Sequence, residues 1–311
     1  MFQNILVATA RADGDEAAVL TAVRFAQKNR SALHILHVLE VQGRKNHPLV
    51  KHYQTGRLTP CSPAYQQQME ENIRRICDSI PASRPSCHAA VIFGLPWEEI
   101  MRYSRRTAAD LIVLGIHRER AAPRDVIELA RAIGSTAQGV IMHADCPVMI
   151  VRRPITEKQL RLKRILAAID FSNACRKALR FAVQLARRHT AQLHVYHMLP
   201  VPPSNVYSQD DYQTDRRVAA EKIENLCAGL PADIHCEYSV SGGVFPGQEI
   251  IDRALAKDVD LIVMGSHTKE RSGKWYTGSA VEIAGAQSTC PVIVLTDTVK
   301  NSTKNGRQTN F

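Results

Sequence analysis

The stretch GSHTKERSGKWYTGSAVE, residues 265–282, leaves the apolar run DLIVM on a glycine and re-enters a helical pattern on Gly278-Ser279. Glycine removes a side chain where a ligand approaches the backbone. A helix entered through Gly-Ser presents N–H groups and the positive end of its dipole, which suits an anion such as phosphate. Ser279 adds a hydroxyl donor. Taken alone, Gly265 reads better as a turn residue and Ser279 as a helix cap. Two phosphate motifs are excluded. Thr268 and Trp275 break the Walker pattern that SGKW suggests, and no GxGxxG fingerprint opens a helix.

The elements that must hold these residues occur twice. NILVATA (4–10) matches RILAAID (164–170), and FAQKNRSALHILHVLE (25–40) matches LARRHTAQLHVYHMLP (185–200), both at an offset of 160. ADLIVLGIH (109–117) matches VDLIVMGSH (259–267) at 150, and CPVMIV (146–151) matches CPVIVL (290–295) at 144. Four blocks in one order mark a tandem duplication, joined by the charged stretch RRPITEKQLRLKR. The first half carries ten extra residues after its second strand, mostly in VQGRKNHPLVKHYQTGRLTPCSP, and six more between Gly115 and Gly134-Ser135.

In the second half the pattern predicts strands over 164–169, 192–199, 234–240, 260–265 and 291–295. Helices are predicted over 173–189, 211–229, 247–257 and 279–288. Apolar strands separated by helices call for an α/β doubly wound parallel sheet covered on both faces. In such folds ligands sit beyond the carboxyl ends of the strands, where strand order reverses. Asp170 and Gly265 stand at such ends. The expected domains are 1–153 and 162–297, followed by a disordered tail over 298–311. The apolar last strands, CPVMIV and CPVIVL, are expected to pack the halves as a pseudo-dimer rather than leave exposed edges.

These residues resemble the universal stress protein family. Its nucleotide-binding members carry an Asp ending the first strand, in a vDgS pattern. After the fourth strand come a Gly, a second Gly and a Gly-Ser or Gly-Thr at fixed spacing. Here Asp170 opens DFSNACRKAL, and Gly265 and Gly278-Ser279 keep the spacing, with Thr268 at the middle Gly. SGGVFPGQEII, DLIVMGSH and CPVIVL hold the other landmarks, so the resemblance spans both halves. It implies two tandem Rossmann-like domains of the adenine nucleotide alpha-hydrolase-like type.

By the same resemblance, Asp170 hydrogen-bonds adenine and Met198 lies against its ring. Met264, Gly265, His267 and Thr268 border the ribose and phosphates, and the amides of Gly278, Ser279, Ala280 and Val281 cradle phosphate. Thr268 adds a Cβ where the family has none, and Val281 lacks a hydroxyl often found there. Asp170 also reads as a residue that helps start a helix. In the first half Ala10 replaces the carboxylate, Arg118 replaces the middle Gly, and the loop is longer, which predicts a degenerate site.

The implied function is a non-enzymatic stress-response regulator binding ATP or AMP, with Mg as an optional companion. The rivals are a nucleotide-free scaffold whose first-half insertion binds another protein, and a slow or self-phosphorylating ATPase, for which no general base or metal carboxylate pair is visible. Family analogy adds a homodimer. The net charge of +10 is spread along the chain rather than gathered with aromatics, so nucleic acid is not an expected partner. No apolar run suits a membrane span, and a cytoplasmic location is expected. The eight cysteines, with no CxxC pair, read as lone buried thiols. His34 with His37, and His194 with His197, look like metal pairs but fall on opposite faces of predicted strands.

Overall fold

The computed structural model describes residues 2–10, 16–42, 49–52, 57–80, 86–116, 133–201, 207–266, 269–271, 274–276 and 279–296. Two compact units divide the chain at Thr156 and Glu157. In the first, NILVAT forms β1 (Asn4–Thr9), followed by α1 (Ala17–Asn29) and β2 (Ala32–Leu39). The extra residues after β2 contribute a small antiparallel sheet of β3 (Val41–Gln42), β4 (Leu49–Lys51) and β5 (Leu58–Pro60). Then come α2 (Pro63–Asp78), β6 (Cys87–Phe93), α3 (Pro96–Arg106), β7 (Leu111–Gly115), α4 (Ser135–His143) and β8 (Val148–Val151). The large strands pair in parallel in the order β8-β7-β1-β2-β6.

The second unit opens with α5 (Glu157–Leu160) and β9 (Arg164–Ala168), then α6 (Asn173–His189), β10 (Gln192–Pro200), α7 (Gln209–Ala228) and β11 (Cys236–Gly243). It continues with α8 (Pro246–Ala256), β12 (Leu261–Gly265), β13 (Lys269–Arg271), β14 (Lys274–Tyr276), α9 (Ser279–Gln287) and β15 (Val292–Leu295). Its parallel order is β15-β12-β9-β10-β11, the same topology as the first unit. Strand order reverses between β9 and β12, which places the switch-point crevice at their carboxyl ends. The described part of the stretch 265–278 is not an irregular excursion. Its β13 and β14 pair antiparallel, with Arg271 opposite Lys274.

Sequence spacing explains the helices. Along α6, Ala174, Ala178, Phe181, Ala182, Leu185 and Ala186 are buried, while Arg176, Arg180, Gln184 and Arg187 face water. Ser172 caps it, its hydroxyl accepting from Cys175 N at 3.2 Å. A capping box between Ser208 and Asp211 starts α7 two residues ahead of the sequence expectation.

The duplication shows in paired details. Asp110 accepts from the amides of Gln3 and Asn4 at 2.6 and 3.1 Å, and Asp260 from those of Lys163 and Arg164 at 2.7 and 2.9 Å. Each carboxylate fixes the entry to its unit's first strand. Asp260→Ala is expected to lower the second unit's unfolding free energy by about 1–2 kcal/mol, because two N–H groups lose a charged acceptor at a strand start that water still reaches. Urea titration checks this, and an unchanged midpoint would contradict it. A size exchange also links the repeats. A Cβ on Gly139 would lie 2.6 Å from Trp97 Cγ, and one on Gly247 2.5 Å from Ile283 Cβ. The large residue sits on α3 in one unit and on α9 in the other, with a glycine opposite each time.

Candidate functional site

β9 places Asp170 two residues beyond its last strand position, flanked by the ends of β10 and β12. The Ile169 amide donates to the Tyr196 carbonyl at 2.9 Å, and Ala168 pairs with Met264. Asp170, Met198, Met264 and Gly265 are thereby brought to the carboxyl ends of three adjacent strands. Asp170 is exposed, and its Oδ1 accepts from Ser172 N at 3.0 Å. It therefore does help start α6. Between the two, Phe171 takes a left-handed φ of 64°, at the position where the family pattern has glycine. Its ring packs on His197 at 4.6 Å, with the Lys222 ammonium 5.7 Å from the ring centre.

Gly265 answers for its own lack of a side chain. A Cβ there would lie 2.5 Å from Cys175 N and 2.6 Å from the Ala174 carbonyl carbon. The backbone that approaches this glycine is the first turn of α6, so its packing requirement is structural. The next residue, Ser266, is buried, and among the described residues its hydroxyl has no hydrogen-bond partner. Met198 and Met264 are buried, so neither is a broad open platform.

The helix α9 begins at Ser279, so the amides of Ser279, Ala280 and Val281 belong to the first turn, where an α-helix has no acceptor of its own to offer. Val281 is buried, which leaves its backbone as the part able to meet a ligand. Glu282 stands in the same turn, so an anion there would share the dipole with a carboxylate. His267, Thr268 and Gly278 lie outside the described residues, as do His117, Arg118 and the tail over 298–311.

In the first unit a carboxylate is present after all. Glu16, immediately before α1, accepts from Thr9 Oγ1 at 2.6 Å and from Ala10 N at 3.2 Å through Oε2. A Cβ on Gly115 would lie 2.9 Å from Glu16 Oε1. Ala10 thus removes the strand-end acid, and Glu16 brings another into the space beside β1 and β7. No sequence alignment of the halves points to it, because Glu16 lies six residues beyond Ala10, the position that matches Asp170. Gly134, before α4, has a φ of 79° and open space around its missing Cβ, so conformation rather than crowding selects glycine there.

The histidines have structural work. His37 Nδ1 lies 2.8 Å from the Thr9 carbonyl and His197 Nδ1 2.8 Å from that of Ile169, so in each pair the ring donates to the end of the first strand. His34 instead stacks on His88 at 5.0 Å. Among the described residues no three His, Cys, Asp or Glu side chains gather as a metal site. Burial, then Lys257 and Arg253, push His194 down from 6.5 to about 4, against an opposing pull from Glu237. The unfolded chain therefore takes up a proton before the folded one does. The stability tied to neutral His194 is present above about pH 6.5 and is lost as pH falls toward 4. Denaturant midpoints are expected to drop between pH 7 and pH 5, and to drop less in His194→Gln; equal losses would contradict the assignment.

The family comparison matches the universal stress protein family over residues 1–152 and again over 161–296. The chain belongs to the universal stress protein family. A universal stress protein of Mycobacterium tuberculosis is 20% identical over 304 residues, covering 94% of this chain and 95% of its own. One from Bacillus subtilis is 30% identical over 145 residues, 42% of this chain and 97% of its own, as expected for a single-domain relative of one half. Among solved structures, a universal stress protein from Archaeoglobus fulgidus superposes with a TM-score of 0.64 at 19% identity, covering 94% of this chain and 96% of its own. A functionally unknown Pseudomonas aeruginosa protein gives 0.58 at 18% identity, over 95% and 92%. The universal stress protein fold therefore runs through both units.

Cys77 and Cys87 are not lone thiols but form a disulfide, and the sulfurs of Cys227 and Cys236 lie 3.3 Å apart. A search for CxxC overlooks them, because the fold brings a helix end and a strand start together across a loop. Cys146, Cys175 and Cys290 are buried free thiols, as expected.

Proposed function

We propose that the second domain binds an adenine nucleotide, ATP or AMP, and that the protein is a non-enzymatic regulator within the universal stress protein family. The observation that carries this reading is the switch-point crevice, where Asp170 and Gly265 flank the boundary between β9 and β12 and α9 opens its first turn toward the same edge of the sheet. In this reading Asp170 accepts from the adenine amino group and Met198 limits the depth of the base. Met264, Gly265, His267 and Thr268 border the sugar and phosphates. Gly278, Ser279, Ala280 and Val281 supply amides to phosphate, and Mg accompanies the triphosphate. The first domain, with Glu16 filling the strand end, is proposed to hold no adenine.

Domain limits of 1–153 and 162–297, a homodimer, a protein partner and a cytoplasmic location belong to the same proposal. Among the described residues no helix is long and apolar enough to cross a membrane. The nucleotide-free scaffold has support of its own, since Asp170 is engaged in starting α6 and β3–β5 add a small sheet to the first unit. Calorimetric titration of the purified protein with ATP and AMP tests the choice. Saturable binding at one site per chain supports the nucleotide reading, and no heat with either ligand supports the scaffold.

A further inference from the structure

Each unit carries a cysteine near the end of its second long helix and another at the first position of the strand that follows. In the first unit these are Cys77 of α2 and Cys87 of β6, joined as a disulfide with Cα atoms 5.3 Å apart. In the second they are Cys227 of α7 and Cys236 of β11, both partly exposed free thiols with sulfurs in contact at 3.3 Å. We propose that Cys227 and Cys236 form a thiol-oxidation site that closes to a disulfide on reaction with a low-molecular-weight disulfide, repeating the clamp of the first unit.

The pairing stands apart from the other thiols. Cys146, Cys175 and Cys290 are buried, and burial pushes them up to about 12, 12 and 11. They are correspondingly inert. Cys236 instead donates its S–H to Cys227, which lowers Cys227 and raises Cys236. Cys227 is therefore the attacking sulfur and Cys236 the resolving one. The Cys227 thiolate attacks one sulfur of RSSR, forming a protein–SR mixed disulfide while RS⁻ leaves and takes up a proton as RSH. Cys236 then loses its proton, its sulfur attacks Cys227 Sγ, and the second RS⁻ departs to become RSH. Two protein thiols are oxidised by two electrons and one RSSR is reduced to two RSH. The product ties the last turn of α7 to the start of β11.

The test treats the fully reduced, full-length protein with oxidised glutathione, blocks remaining thiols with an alkylating agent and maps the peptides by mass spectrometry. The expected product is a peptide pair linking Cys227 to Cys236. In Cys236→Ser, a glutathione adduct is expected to persist on Cys227, because nothing resolves it. Direct alkylation of reduced wild type is expected to modify Cys227 at least about tenfold faster than Cys61, a partly exposed thiol that burial raises. Equal rates at Cys61 and Cys227, or both second-unit cysteines recovered as alkylated thiols while Cys77 and Cys87 are linked, would overturn the proposal.

Discussion

Asp170→Ala is expected to weaken ATP or AMP binding by about 1.5–3 kcal/mol, the range for a hydrogen bond to a charged group, or roughly ten- to a hundredfold in Kd. The structure adds a second consequence, because the same carboxylate accepts from Ser172 N at the start of α6. The alanine variant should therefore also lose some stability, on the order of 0.5–1.5 kcal/mol. Asp170→Asn keeps an acceptor for that amide while removing the charge. Calorimetry and melting of both variants separate the roles: both should bind more weakly, and only alanine should melt early. Early melting of the alanine variant with unchanged affinity would mean that Asp170 serves the helix alone.

Gly265→Val should be the most destabilising single change in the second unit, costing about 3 kcal/mol or more, at or beyond the upper end of ordinary overpacking. Its new Cβ would enter a space already bounded by Cys175 N at 2.5 Å and the Ala174 carbonyl carbon at 2.6 Å. Backbone at a capped helix start has little freedom to give way. Thermal and denaturant unfolding of ligand-free protein should show the full loss. A variant that melts like wild type but no longer binds ATP would instead make Gly265 a residue kept for ligand approach.

The sequence carried the fold because its signals were local and repeated. The predicted limits of α6, 173–189, are those observed, since apolar spacing, a capping Ser172 and a basic last turn all agree. The strands were legible as buried parallel runs, and the duplication confirmed each against its copy. The site was legible only as positions. That Asp170 and Gly265 adjoin follows from topology, whereas the packing of Gly265 on α6 depends on a backbone approach that no residue pattern encodes. Gly265 and Gly134 look alike in sequence yet exist for different reasons, one for space and the other for a φ of 79°. Glu16 and the two cysteine pairs share a common reason for being hidden: their partners lie only six to ten residues away, at no motif spacing, and the fold rather than a residue pattern brings them together.

Whether the second domain holds an adenine nucleotide is decided by native mass spectrometry of the purified, undenatured protein. One added mass per chain is expected, matching ATP or AMP, released on denaturation and greatly reduced in Asp170→Ala. A chain that flies at its bare sequence mass, and still does so after incubation with excess ATP or AMP, would contradict it.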